Sequence, residues 1–258
     1  MRALPATHAI ARNTVREALR SRLLYTLVFF AVLLIGSSAL LATLSYVERE
    51  RILQDIGLSA IRLMGAIIAV FVGVGLIHRE VERRTVYTIL SKPVSRTAFV
   101  VGKFAGLAAT LWLMVGIMGL AFAAVSLVSG APLGWGHLAA LALTCVELAL
   151  LVAVATLFSS FTTPTLASAF SLGVYLLGHL VRDLRDLGAA SDSELAERVT
   201  AGLYLVLPDL EAFDLVIPAV HGLAIPPGEV AMGALYGFGY AALVLVLAAF
   251  VFERRDLR

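Results

Sequence analysis

Six apolar stretches divide this chain, at 22–44, 58–77, 98–127, 137–158, 164–181 and 230–252. Each is as long as a bilayer-crossing helix, which needs about 20 residues, so the pattern predicts six transmembrane helices. Apolar and polar residues do not alternate within the stretches, which argues against a β-barrel. The first stretch is too long for the apolar region of a cleaved signal peptide and starts too far into the chain. The predicted architecture is an all-α integral membrane fold.

Two polar stretches carry patterns of their own. Residues 5–22, PATHAIARNTVREALRSR, sort into two faces on a helical wheel. Ile10, Ala11, Thr14, Val15, Ala18 and Leu19 share one face; Arg12, Asn13, Arg16, Glu17 and Arg20 share the other. This predicts a helix in the membrane interface with its apolar face toward lipid. It serves as an N-terminal anchor or as a dock for a partner.

Residues 78–103, HREVERRTVYTILSKPVSRTAFVVGK, predict a helix, a sharp turn and a second helix. Glu80 to Leu90 form the first, with Val86, Ile89 and Leu90 as an apolar patch among Glu80, Glu82, Arg83 and Arg84. Lys92 precedes Pro93, which disfavours helix at the lysine and ends it near Ser91. Ser95 is suited to cap the next span. Such a stiff lever fits a groove in another protein; the alternative is a solvated loop. The closing Gly102-Lys103 is not a phosphate-binding loop, because Thr97 stands where the first glycine belongs and Phe104 follows the lysine.

Composition agrees with a membrane protein. The 258 residues are 60% hydrophobic and 15% charged, with mean hydropathy +0.94; soluble domains are about half apolar and a quarter charged. Cys145 is the sole cysteine, so there is neither a disulfide framework nor a cysteine metal site. The basic residues set the orientation. Arg2, Arg12, Arg16, Arg20 and Arg22 precede the first span; Arg79, Arg83, Arg84, Lys92, Arg96 and Lys103 follow the second; Arg254, Arg255 and Arg258 end the chain. With six spans these segments share one side, expected to be the cytoplasmic side of a bacterial inner membrane, with both termini there. Loops 45–57, 128–136 and the acidic 182–229 fall on the other.

Glu147 is an acidic residue deep in a span, where an ionisable group is costly. It is either a structural hydrogen-bonding group, the preferred reading, or a proton-linked pathway residue. His179 is expected at the outer interface, exposed to water. The pairs Gly102-x-x-x-Gly106 and Gly233-x-x-x-Gly237 suit close helix contacts. DLRDLGAASDSELAERVT, residues 183–200, reads as a solvated helix capped by Ser191 or Ser193. The apolar segment 200–227 is interrupted by Pro208, Asp209, Glu211, Asp214 and Pro218, so it predicts short interfacial or re-entrant helices rather than a span.

Glu80, Glu82, Thr85, Leu90, Pro93, Arg96, Gly102 and Lys103 together resemble the coupling region of ABC-2-type transporter permeases. The similarity is greatest to the multi-copper enzyme maturation branch, typified by the permease of nitrous-oxide reductase assembly. LQDIGLSAIRLMGAIIAVFVGVGLIHRE, LFSSFTTPTLASAF and LPDLEAFD extend it along the chain. The resemblance implies a single transmembrane domain over 1–258, with 5–22 as an elbow helix, 79–97 as a cytoplasmic coupling segment and 182–229 as an extracytoplasmic loop. It implies a permease half that pairs with a second copy and docks on cytoplasmic ATP-binding subunits. ATP and magnesium would sit on those subunits, with no cofactor here. Glu80, Glu82, Thr85, Val86, Ile89, Leu90, Pro93, Arg96 and Lys103 would carry the coupling. The outcome would be export or mechanical signalling across the bilayer, with room for an extracytoplasmic accessory protein and none for nucleic acid. The competing readings are an intramembrane enzyme, for which no recognisable catalytic set exists, and a structural anchor, which leaves the lever unexplained. Five methionines, five histidines and one cysteine form no soft-ligand cluster, so copper transport does not follow.

Overall fold

The computed structural model describes residues 3–43, 48–82, 96–191 and 193–254. The helices are α1 (Ala3–Ala18), α2 (Arg22–Ala42), α3 (Arg49–Glu82), α4 (Arg96–Val128), α5 (Trp135–Ser159), α6 (Pro164–Ala189), α7 (Glu194–Val206), α8 (Val216–Val220) and α9 (Pro227–Arg254). A single 3-10 turn, Glu211–Phe213, precedes α8, and no strand occurs among the described residues. Six segments are long and apolar enough to cross a membrane: Leu24–Ala42, Arg49–Gly75, Thr97–Val128, Trp135–Ser159, Pro164–Ala189 and Pro227–Phe252. The protein is therefore a six-span, all-α chain, as its hydropathy pattern predicts.

Several boundaries differ from expectation for local reasons. The 34 residues of α3 run about 50 Å at 1.5 Å per residue, well beyond a hydrocarbon core of about 30 Å. Of the helix expected over Glu80 to Leu90, Glu80 to Glu82 continue the second-span helix, and 83–90 lie outside the described residues. Residues 183–189 likewise extend α6 instead of opening a solvated helix. Only Glu194–Val206 forms a distinct element, capped by the Ser193 hydroxyl, which accepts from the Ala196 amide at 3.5 Å. It can fold back because α6 offers Gly188, where any Cβ would strike the Thr200 side chain of α7.

The core forms around α5, which packs against α3, α4, α6 and α9. Every residue of α5 from Val146 to Thr156 is buried, as befits a helix apolar on all sides. Ile61, Ile68, Met118, Leu148 and Leu151 make one apolar cluster with it. Leu150, Ala153, Phe213 and Ala241 make a second. Contacts between distant segments define two ends of the bundle. At the terminal end, Phe99 of α4 stacks on Phe252 of α9 with ring centroids 5.9 Å apart. At the loop end, Gln54 Nε2 of α3 donates to the Pro132 carbonyl at 2.7 Å, and Trp135 Nε1 of α5 donates to the Ile225 carbonyl at 3.3 Å.

Residues 207–226 re-enter the bundle at the loop end. Leu210, Phe213, Val216, Ala219 and Ile225 are buried, and the Leu210 amide donates to the Gly178 carbonyl of α6 at 3.0 Å. The expectation of short re-entrant helices before the last span holds.

Candidate functional site

An ionic cluster lies beneath the re-entrant segment. α3 carries Arg62 into the interior, and α5 presents Glu147, which is completely buried. Arg62 uses each of its nitrogens. Nε donates to Glu147 Oε2 at 2.7 Å, Nη2 donates to the Leu210 carbonyl at 3.2 Å, and Nη1 pairs with Asp214 Oδ2. Asp214 Oδ1 in turn accepts from the amide of Val216, the first residue of α8, at 3.0 Å. One guanidinium thus ties α3, α5 and the re-entrant segment together.

His179 of α6 completes the cluster. Its Nε2 stands 3.2 Å from Glu147 Oε1, and its Nδ1 is 2.7 Å from the Tyr175 carbonyl oxygen. A carbonyl only accepts, so Nδ1 carries a proton and donates it there, while Nε2 faces the carboxylate. Neither Nε2 nor Oε1 has a hydrogen bond among the described residues; a proton between them would satisfy both. His179 is half-buried against Glu147, which corrects the expectation of a water-exposed interface histidine. Nearer the loop-end surface, Arg182 Nη2 lies 2.6 Å from Asp209 Oδ2, while Tyr236 Oη accepts from the Asp209 amide at 2.9 Å.

Sequence reading singled out Glu147 but passed over Arg62. The signal was present: an arginine inside the second apolar stretch carries the same insertion cost as a buried acid, and so requires an acidic partner. Which acid it meets is a matter of tertiary structure.

The terminal end is built differently. A Cβ on Gly102 would come within 2.9 Å of Ile10, and one on Gly106 within 2.6 Å of both the Ala11 carbonyl oxygen and Thr14 Cβ. These glycines let the α1 backbone lie directly on α4. Thr14 and Ala18 are fully buried, while Arg12, Asn13, Arg16 and Arg20 face outward. The two-faced pattern is therefore right, but protein rather than lipid covers this part of the apolar face, and the helix stops at Ala18, short of residue 22. Gly237, from the other glycine pair, abuts Val146 and Phe213.

Of the coupling residues expected from sequence, Lys103 is buried with Nζ 3.6 Å from Glu17 Oε2 of α1. Arg96 opens α4, and Glu80 and Glu82 lie on the last turn of α3. Thr85, Val86, Ile89, Leu90 and Pro93 lie outside the described residues.

Comparison with known proteins agrees with this architecture. The family model described as ABC-2 family transporter protein matches residues 8–257. No curated protein matches the chain. The chain belongs to the ABC-2 transporter family, and is a multi-pass membrane component of an ABC transporter.

Proposed function

We propose that this ABC-2 permease is one half of a homodimeric transporter in a bacterial inner membrane, driven by a separate cytoplasmic ABC ATPase. Residues 79–97 form the coupling segment, and ATP and magnesium reside on the ATPase. The terminal end then faces the cytoplasm, in keeping with the basic residues that cluster there. Within the family, Glu80, Glu82, Thr85, Leu90, Pro93 and Arg96 support assignment to the multi-copper enzyme maturation branch.

The observation that carries this reading is the joint between α1 and α4. The coupling segment leads straight into α4 at Arg96. Within three turns α4 meets α1 at Gly102 and Gly106 with almost no space between backbones. A push on residues 79–97 therefore moves α4 and the elbow as one body, and α4 in turn packs on the central α5. Export and transmission of mechanical force to an extracytoplasmic partner both use this path.

Glu147 has a structural role in this reading. Glu147→Gln leaves a carbonyl for Arg62 and supplies an N–H for His179 Nε2, so assembly and transport persist. Loss of transport in that variant with assembly intact would make Glu147 a proton carrier instead.

The function is tested with the purified permease and its candidate ATPase. Leu90→Asp releases the ATPase in a pull-down, whereas Pro93→Ala keeps it bound but uncouples hydrolysis from transport in proteoliposomes. Full binding and full transport by Leu90→Asp would reduce 79–97 to a solvated loop. For orientation, single cysteines at Ser91 and Ser191 in a Cys145→Ala background label from opposite faces of the membrane; labelling from one face would sink the six-span arrangement.

A further inference from the structure

The ionic cluster beneath the re-entrant segment has one unfinished contact. Glu147 Oε2 is taken by Arg62, but Oε1 faces His179 Nε2 at 3.2 Å, and neither atom has a hydrogen bond among the described residues. Both atoms are buried. A carboxylate oxygen and an unprotonated ring nitrogen only accept, so without a proton between them both stay unsatisfied at a cost. A proton on Nε2 turns the same geometry into a charge-assisted hydrogen bond. The aim of the ring is fixed, because Nδ1 donates to the Tyr175 carbonyl at 2.7 Å and the ring meets that of Tyr175 edge-on, with centroids 4.6 Å apart.

The charges around the pair point the same way. Among the described residues, α3 brings Arg62 and the re-entrant segment brings Asp214. Tyr175 of α6 adds a phenol, a group uncharged at neutral pH. Asp209 and Glu211 turn to Arg182 of α6 instead, with Tyr236 of α9 at the Asp209 amide. From α7, Glu194, Glu197 and Arg198 face outward, and Tyr204 lies under Arg185 of α6. One fixed cation, Arg62, thus serves both Glu147 and Asp214. A proton on His179 evens the count, in an interior where an unbalanced charge is costly. His179 stands near the end of the apolar stretch 164–181 with 24% of its side chain exposed, whereas Glu147 is fully buried. The ring is therefore the side from which a proton enters.

We infer that His179 and Glu147 form a proton site that latches the re-entrant segment. With the proton bound, His179 Nε2 donates to Glu147 Oε1, α6 is tied to α5, and the Arg62 guanidinium serves Asp214 and the Leu210 carbonyl as well. Without it, Glu147 is balanced by Arg62 alone and competes with Asp214 for the guanidinium, so the segment loosens. The contact exists only while Nε2 is protonated. Its contribution is therefore present at low pH and lost as pH rises. The inference rests on the structural role of Glu147, which transport by Glu147→Gln tests separately, and it involves neither the ATPase nor residues 79–97.

Amide hydrogen exchange of the purified permease is followed over residues 209–216 across about pH 5–8, the interval in which histidine changes charge. Each rate is taken relative to that of the unfolded chain at the same pH. Protection in the wild type should be highest at the acid end and about tenfold lower at the alkaline end, the worth of one charge-assisted hydrogen bond. In Glu147→Gln the amide N–H donates to the neutral ring, so protection should no longer depend on pH. His179→Gln offers an N–H to Oε1 at every pH and should give the same flat profile, which keeps the test open where Glu147→Gln fails to fold. His179→Leu, with no donor for Oε1, should be poorly protected throughout. His8, His78, His137 and His221 are the same in every variant. A slope shared by the wild type and the glutamine variants would therefore come from elsewhere and overturn the latch. Nitrogen-15 spectra of labelled histidine locate the proton. The signals that His179→Gln removes should show both ring nitrogens protonated at the acid end and Nδ1 alone at the alkaline end; a neutral ring throughout would also overturn the proposal.

Discussion

At the terminal end, α1 lies on α4 through Gly102 and Gly106, backbone almost against backbone. At the loop end, residues 207–226 are held among the spans by Arg62, which reaches Glu147, Asp214 and the Leu210 carbonyl together. Both ends hold a segment that does not span, yet the forces are of different kinds. Helices in lipid gain little from burying apolar surface on one another, so close packing over small residues supplies the attraction at the first end. At the second, a charge has been taken into the interior at a cost that only its partners offset. The terminal end is therefore sensitive to size, and the loop end to charge.

The largest expected effect comes from breaking the loop end. Arg62→Leu strands Glu147 without its cation and should cost about 3–5 kcal/mol, seen as a lower thermal midpoint of the purified permease. The double variant Arg62→Leu/Glu147→Leu should recover most of that loss, since no buried charge then lacks a partner. A single variant as stable as the wild type would remove Arg62 as the anchor of the re-entrant segment.

Gly106→Leu tests the terminal end. Its side chain drives into the Ala11 carbonyl and Thr14, an overpacking cost of about 1–3 kcal/mol. In a Cys145→Ala background, a cysteine at Thr14, buried in the native structure, should become reactive when Gly106→Leu is added. Continued protection would mean that α1 is held by something other than this contact.

Smaller effects sharpen the contrast. Asp214→Asn removes the charge partner that is partly open to solvent and should cost about 1 kcal/mol. It should also speed amide hydrogen exchange over residues 208–216 with no change at α1. Glu17→Gln weakens a 3.6 Å contact to Lys103 from a partly exposed carboxylate, so about 0–1 kcal/mol is expected. A larger loss there than in Arg62→Leu would invert the comparison.

The six spans, the two-faced α1 and the interrupted segment before α9 were all legible in the sequence. Each is a property of consecutive residues: runs of apolar side chains, a helical period, prolines and acids within a few positions. Glu147 was legible only as a residue in need of a partner, and Gly102 and Gly106 only as a surface suited to close contact. The tertiary structure decided that Glu147 meets Arg62, 85 residues away, that His179 turns to the same carboxylate, and that α4 rather than lipid covers part of α1. Local sequence dictates where a helix forms, because hydrogen bonds and hydropathy are settled within a few turns. It does not dictate the rotation of one helix about its axis against another, and that rotation determines which buried charges find each other.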